Sequence, residues 1–312
     1  VEDRVMSGHD GQAIAVAAPA TVPVRQGGVL ALAAALFKLR IGLAIAFSAL
    51  AGALVAAGQW PAAGDTLLLL ISVLMAAAGA GGCNHYFERD IDARMVRTRG
   101  RPFVAGRIEH APRWLGLFAA MMLGGSLLAG LWLGWLTGML VLAGALTYSV
   151  VYTLWLKRRT EWNIVIGGAS GSFAVLAGAS ATGAWSDPAV LWLTAVLFLW
   201  TPSHFWALAI AIVEDYLRAG VPMLPVTRGR AAAARWSLLN TALLVLCSLA
   251  FAAAVAQPLV WVGALVGGGW MLATGWRMVR NPGAKTAMAA FRASLIQLGL
   301  LLIALFLAFG AA

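Results

Sequence analysis

The run Asn84-His85-Tyr86-Phe87-Glu88-Arg89-Asp90-Ile91-Asp92 sets an amide and two carboxylates, Asn84, Glu88 and Asp92, four residues apart. On a continuous helix these three share one face and Asp90 turns away. Carboxylates at that spacing repel each other, and a divalent cation relieves the repulsion. An all-oxygen donor set suits Mg²⁺, which keeps positions open for water and phosphate oxygens. A solvated helix end whose acids pair with Arg89, Arg94 and Arg97 is the plainer alternative. Further on, Thr201-Pro202-Ser203-His204-Phe205-Trp206 leads to a second acidic pair, Glu214-Asp215. Two such segments on one side of a membrane would form a diphosphate clamp, with a bridging metal and cations that bind and stabilise the leaving group. Lys38, Arg40, Arg97, Arg101, Lys157 and Arg158 are available as those cations. Topology and attraction to anionic lipid explain any one of them taken singly.

The elements that must hold these residues follow from composition. The chain has 312 residues, 62% of them hydrophobic and 11% charged, with a mean hydropathy of +0.86, which predicts an all-α integral membrane protein. Dividing the apolar runs by bilayer thickness and turn residues gives nine spans, near 41–57, 66–83, 114–130, 134–156, 163–182, 189–213, 236–256, 258–278 and 287–311. The charge-free stretches 114–156 and 236–278 are too long for one crossing and break at Leu133-Gly134 and Gln257-Pro258. With nine spans, all 22 lysines and arginines fall on one side, whereas the other side carries only Asp65 and Asp187. The positive-inside rule makes the basic side cytoplasmic, with the N-terminus in and the C-terminus out. The net charge of +10 therefore reports orientation and excludes a nucleic-acid surface.

Cys83 and Cys247 stand apart in apolar runs and give no disulfide or zinc pattern. Residues 1–28 fit neither a signal peptide nor a transit peptide and are expected to form a disordered cytoplasmic tail, leaving 29–312 as one transmembrane domain with acidic-motif loops at 84–113 and 214–235. The tetrapeptide Thr98-Arg99-Gly100-Arg101 returns as Thr227-Arg228-Gly229-Arg230. Each copy lies downstream of an acidic cluster, which suggests two pseudo-equivalent bundles facing one cavity.

Asn84, Glu88, Asp92, Met95, Arg97, Thr98, Arg101 and Pro102 resemble the N-x-x-x-D/E-x-x-x-D-x-x-M-x-R-T-x-x-R-P signature of the UbiA-type intramembrane prenyltransferases. Three more stretches resemble the protohaem IX farnesyltransferase branch of that family. They are Tyr152-Thr153 with Leu156-Lys157-Arg158, Thr160 and Asn163 to Gly168; Thr201-Pro202 with His204-Phe205-Trp206; and Asp215-Tyr216 with Ala219 to Pro225. The likeness covers roughly 38–230 and thins to hydropathy in the last three spans. Lys38-Leu39-Arg40 stands where the family often has K-P-R, no basic residue precedes Asp215, and Glu88 replaces a frequent Asp.

The resemblance implies transfer of a farnesyl group from farnesyl diphosphate to a vinyl group of haem b, with water entering, to give haem O. It implies a two-bundle fold around a central cavity and haem A synthase as a partner, while the charge asymmetry puts the site at the cytoplasmic face and the acid-bearing N-terminus and Ala/Gly-rich composition favour a bacterial plasma membrane. Asn84, Glu88, Asp92 and Asp215 would hold Mg²⁺, with Lys157 beside them in the catalytic set. Lys38, Arg40, Arg97, Arg101, Arg158, Tyr152, Asn163, His204 and Tyr216 would bind the substrates. For His204, contact with haem iron or a propionate stands beside a helix-packing role. A relative acting on a quinone precursor or a chlorophyll-type ring is the nearest rival. A cation-coupled transporter is the rival from another class, but it would carry its acids mid-span.

Overall fold

The computed structural model describes residues 28–310, so the expected tail lies outside the described residues but for Gly28. Every regular element among them is helical. A short α1 (Val29–Leu36) leads through Lys38 into α2 (Leu39–Ala57), then α3 (Ala63–Phe87) and α4 (Arg89–Arg94). After an irregular loop come α5 (Arg113–Trp132) and α6 (Trp135–Leu146), which continues without interruption as a π-helix, Thr147–Leu156. The fifth crossing is broken into α7 (Asn163–Gly167) and α8 (Ala169–Ser180). The long α9 (Pro188–Ala211) is followed by short α10 (Val213–Ala219) and α11 (Leu224–Thr227), and α12 (Gly229–Val255), α13 (Pro258–Arg280) and α14 (Ala284–Gly310) complete the chain.

Nine segments among the described residues are long and apolar enough to cross a bilayer, the number hydropathy predicts. Both expected hairpins are present. Gly134 turns between α5 and α6 at φ 107°, a conformation that an L side chain resists, and Pro258 starts α13 at a position where its missing N–H is not needed. Three helices outrun their apolar stretches: α3 reaches Phe87, and α12 and α14 start at Gly229 and Ala284. Hydropathy marks the edge of hydrocarbon, but backbone hydrogen bonding carries a helix on into the polar layer.

Helices α2, α3, α5, α6 and α8 pack as one group and α9, α12, α13 and α14 as another, joined where α8 meets α9 and where α2 meets α9 and α14. Hydrophobic burial does not draw helices together in lipid, so close backbone approach must. At the crossing of α2 and α8, a Cβ on Gly52 would lie 2.1 Å from the Val175 carbonyl oxygen and one on Gly178 1.7 Å from that of Ala49. Phe47, Leu246, Val262 and Leu307 face outward from the spans, as a lipid-solvated surface requires.

The two ends of the molecule differ. At the basic end, side chains tie the connections together: Arg158 to Asp90, Arg228 to Glu161 and Asp215 to the Val96 and Arg97 amides. At the other end, Asp187 caps α9 by accepting from the Ala189 N–H at 2.7 Å.

Candidate active site

The acidic run keeps its helical phase across the junction of α3 and α4, because Glu88 N–H donates to Asn84 O and Asp92 N–H to Glu88 O. Asn84, Glu88 and Asp92 are 2%, 1% and 1% exposed, while Asp90 faces solvent. That burial removes the solvated-helix alternative. The acids pair with Arg101, farther along the same loop, and with Lys157 from another segment, not with Arg89, Arg94 or Arg97.

The π-helix makes this pairing possible. Tyr148 and Lys157 are nine residues apart and would sit on opposite faces of an α-helix. The wider i→i+5 coil, with about 4.4 residues per turn, brings both to one face. From that face Tyr148 Oη accepts from Lys38 Nζ at 2.9 Å, Thr153 Oγ1 accepts from Asn84 Nδ2 at 2.9 Å, and Lys157 Nζ donates to Glu88 Oε1 at 2.5 Å. The four-residue steps of α3 thus register with those of the π-helix. Lys38, left-handed at φ 50° between α1 and α2, also donates to Asn84 Oδ1. Such a conformation is uncommon for a non-glycine residue and persists where surrounding contacts enforce it.

Arg101 Nη1 lies 2.6 Å from Asp92 Oδ2 and 3.6 Å from Glu88 Oε2, so a single cation bridges both carboxylates. The cluster holds three basic side chains, Lys38, Arg101 and Lys157, against two carboxylates, and burial pulls the Lys38 amine well below the usual lysine range. Burial pushes the Glu88 carboxyl up, but Lys157, Lys38 and Arg101 outweigh it and hold the group below the usual range. At Asp92 burial prevails over the Arg101 guanidinium, and the carboxyl is raised.

The structure does not bring Asp215 into this set. Its carboxylate accepts from the backbone N–H groups of Val96 at 3.3 Å and Arg97 at 3.2 Å and pairs with Arg218. Among the described residues, no three His, Cys, Asp or Glu side chains converge as a metal cage. Asp215 instead fixes the turn after α4 that leads to Arg101, and Thr98 Oγ1 reinforces it by donating to Asp92 O at 3.1 Å.

Beside the cluster lies a cavity of about 440 Å³. Lys38, Arg40, Tyr148 and Tyr152 line its polar end, and Val73, Val141, Ala174, Leu197 and Leu298 its apolar depth. Ile41 and Leu295, about half exposed, also belong to its wall, so it reaches the outer surface between α2 and α14. Tyr148 and Tyr152 stack at 5.8 Å between ring centroids. His204 lines the same cavity on α9, two residues after Pro202, which lies inside the helix without an N–H to donate. Asn240 of α12 braces that point, donating to Leu199 O at 2.5 Å and Ser203 Oγ at 2.7 Å.

Other expected site residues are placed elsewhere. Arg158 is held by Asp90 at 2.7 Å and 2.8 Å and by Phe87 O, on the exposed side. Asn163 and Tyr216 are buried but are absent from the cavity wall, and Asn163 donates to Thr160 O at 2.5 Å. The Arg97 side chain is exposed. Sequence reasoning missed Tyr148, although its spacing from Tyr152 and the presence of only four tyrosines in the chain were a signal.

Residues 45–311 match the family described as the UbiA prenyltransferase family. The chain is 50% identical over 272 residues to Protoheme IX farnesyltransferase 2 of Paramagnetospirillum magneticum, covering 87% of this chain and 94% of that one. Two solved structures share the fold. One, reported with digeranylgeranylglyceryl phosphate synthase, has a TM-score of 0.73 at 17% identity over 91% of this chain and 99% of that one. The other, a UbiA homologue from Archaeoglobus fulgidus bound to GPP and Mg²⁺, has a TM-score of 0.64 at 17% identity over 89% and 99%. With the family matched over most of its length, this chain belongs to the UbiA prenyltransferase family.

Proposed function

We propose that the protein transfers the farnesyl group of farnesyl diphosphate to a vinyl group of haem b, with addition of water, to give haem O and diphosphate. The observation that carries this reading is a buried cluster of acids and cations that shares Lys38 and its partner Tyr148 with the wall of an apolar cavity, in a chain 50% identical to a protohaem IX farnesyltransferase. Such a site can hold a charged head and a long apolar tail at once. Membrane burial suits both substrates, and the basic end of the molecule is the cytoplasmic one by the charge rule. Haem O would then pass to haem A synthase.

Glu88, Asp92 and the Asn84 amide oxygen fit Mg²⁺, since one cation already bridges the two carboxylates and the remaining positions fall to water and diphosphate oxygens. A Mg²⁺ held by these residues would supply Lewis-acid withdrawal of charge from the leaving group. Asp215 accepts from the Val96 and Arg97 amides and pairs with Arg218, outside the Glu88–Asp92 cluster. In the reading favoured by these contacts it positions the Arg101 loop.

Lys38, Arg101 and Lys157 neutralise the acids in the substrate-free arrangement and can turn to the diphosphate when its oxygens arrive. The allylic C–O bond then breaks, its electron pair leaving with diphosphate. The vinyl group supplies the electrons of the new C–C bond, and the cation left beside the porphyrin takes the oxygen of water, which loses a proton. The stacked rings of Tyr148 and Tyr152 stand at the boundary where positive charge develops, and their faces can stabilise it.

The test is incubation of purified protein with haem b, farnesyl diphosphate and Mg²⁺, followed by mass analysis for haem O. Product with 4-hydroxybenzoate but none with haem b overturns the assignment in favour of a quinone-precursor enzyme.

A further inference from the structure

His204 is 92% buried, lines the cavity and has no part in the acidic cluster. Its ring is held on both sides, stacked on Trp200 at 4.3 Å between centroids and tilted against Phe291 at 4.4 Å. Trp200 is itself fixed by donating to Ser294 O at 2.8 Å. His204 Nδ1 meets Ser294 Oγ at 2.7 Å. That hydroxyl has one proton; directed to Phe291 O at 2.7 Å, it leaves the oxygen to accept from His204. This network assigns the hydrogen to Nδ1, and Nε2 of the neutral ring then keeps a bare lone pair. No hydrogen-bond partner for Nε2 exists among the described residues.

A histidine whose Nδ1–H is anchored and whose Nε2 is bare is oriented as metal-ligating histidines are. The same tautomer rejects a carboxylate, since a propionate needs an N–H donor and would meet a lone pair. It also makes a poor proton acceptor. The neighbours are Trp200, Phe205 and Phe291 with no acid beside them, and an imidazolium there would be buried without a counter-charge.

We propose that His204 Nε2 ligates the iron of the porphyrin substrate, fixing the ring in the cavity so that its rim faces the Lys38 and Tyr148 end. This rests on the haem b reading above. The sequence left contact with iron or a propionate open beside a packing role, and the Ser294 contact favours iron over propionate.

The test is low-frequency resonance Raman spectroscopy of the ferrous haem complex, on a preparation also assayed for haem O. The expected result is a histidine–iron line that shifts with ¹⁵N-histidine labelling, is lost in His204→Ala and returns with added imidazole. The chain has four histidines, so a variant with His9, His85 and His110 all replaced by Ala must keep the line. That variant decides the matter even if His204→Ala fails to fold. Haem O production with no such line, or with a line that survives His204→Ala, overturns the iron ligand and leaves the enzymatic reading intact. Absence of both haem binding and haem O overturns the two together.

Discussion

The two acidic segments read alike in sequence and are used differently. Each has a carboxylate pair followed by Thr-Arg-Gly-Arg, and in each the last arginine folds back onto an acid of its own segment: Arg101 onto Asp92 and Glu88, Arg230 onto Glu214. The first set is sealed, with carboxylates 1% exposed and cations arriving from α6's π-helical extension and from the turn before α2. The second is open. Glu214 and Arg230 side chains are 67% and 43% exposed, and Asp215 serves the first segment's loop. Burial separates them physically, since a charge pair in water contributes little and a buried one left incomplete is costly. A repeated motif thus builds a buried ion cluster in one half and an exposed pair in the other.

The largest expected effect is at Asp92. Asp92→Asn removes a charge from the proposed metal site, and haem O formation should fall about a thousandfold or more while circular dichroism and gel filtration stay native. Near-normal turnover would take Asp92 out of the site and erase the difference between the segments.

Asp215→Asn comes next and probes the comparison most directly. If the carboxylate positions the Val96–Arg97 turn, activity should drop by roughly 10- to 100-fold, the range typical of residues that orient a site. The loss should appear chiefly as a higher KM for farnesyl diphosphate. A loss matching Asp92→Asn, with a raised Mg²⁺ requirement, would make Asp215 a ligand and restore the symmetry that the sequence suggests.

That symmetry shows where sequence reading stops. Nine spans, two tight hairpins and one charged face were legible because hydropathy and turn residues act locally. The shared face of Asn84, Glu88 and Asp92 was legible too, since it follows from helical periodicity. The partners of these residues were not. Lys157 meets Glu88 only because residues 147–156 coil as a π-helix, and Lys38 reaches Asn84 only through a left-handed turn. Both are conformations that tertiary contacts impose against local preference. Asp215 looked like a ligand because its type and topological side were visible, whereas the loop amides it accepts from are 118 and 119 residues away in sequence.

A smaller effect is expected at Thr153, which holds Asn84 Nδ2 from the π-helix. Thr153→Val keeps the shape but leaves a buried amide donor unpaired, at a cost of about 1–3 kcal/mol. A roughly tenfold loss of activity in the haem O assay, larger at low Mg²⁺, would mark Asn84 orientation as part of the site. An unchanged rate would reduce the ladder between α3 and the π-helix to packing.

The smallest effect belongs to the motif's second copy. Arg230→Ala breaks only the exposed pair with Glu214 at 3.1 Å, and exposed pairs contribute about 0–1 kcal/mol. Thermal stability should barely move and haem O formation should stay within about twofold. Arg101→Ala, the same change in the first copy, strips the bridging cation from two buried carboxylates and should behave like the Asp215 variant or worse. The ratio between these two arginine variants measures what burial adds to an identical local sequence. If it is near one, the sealed cluster is not where the chemistry occurs, and the cavity mouth must be assigned to other residues.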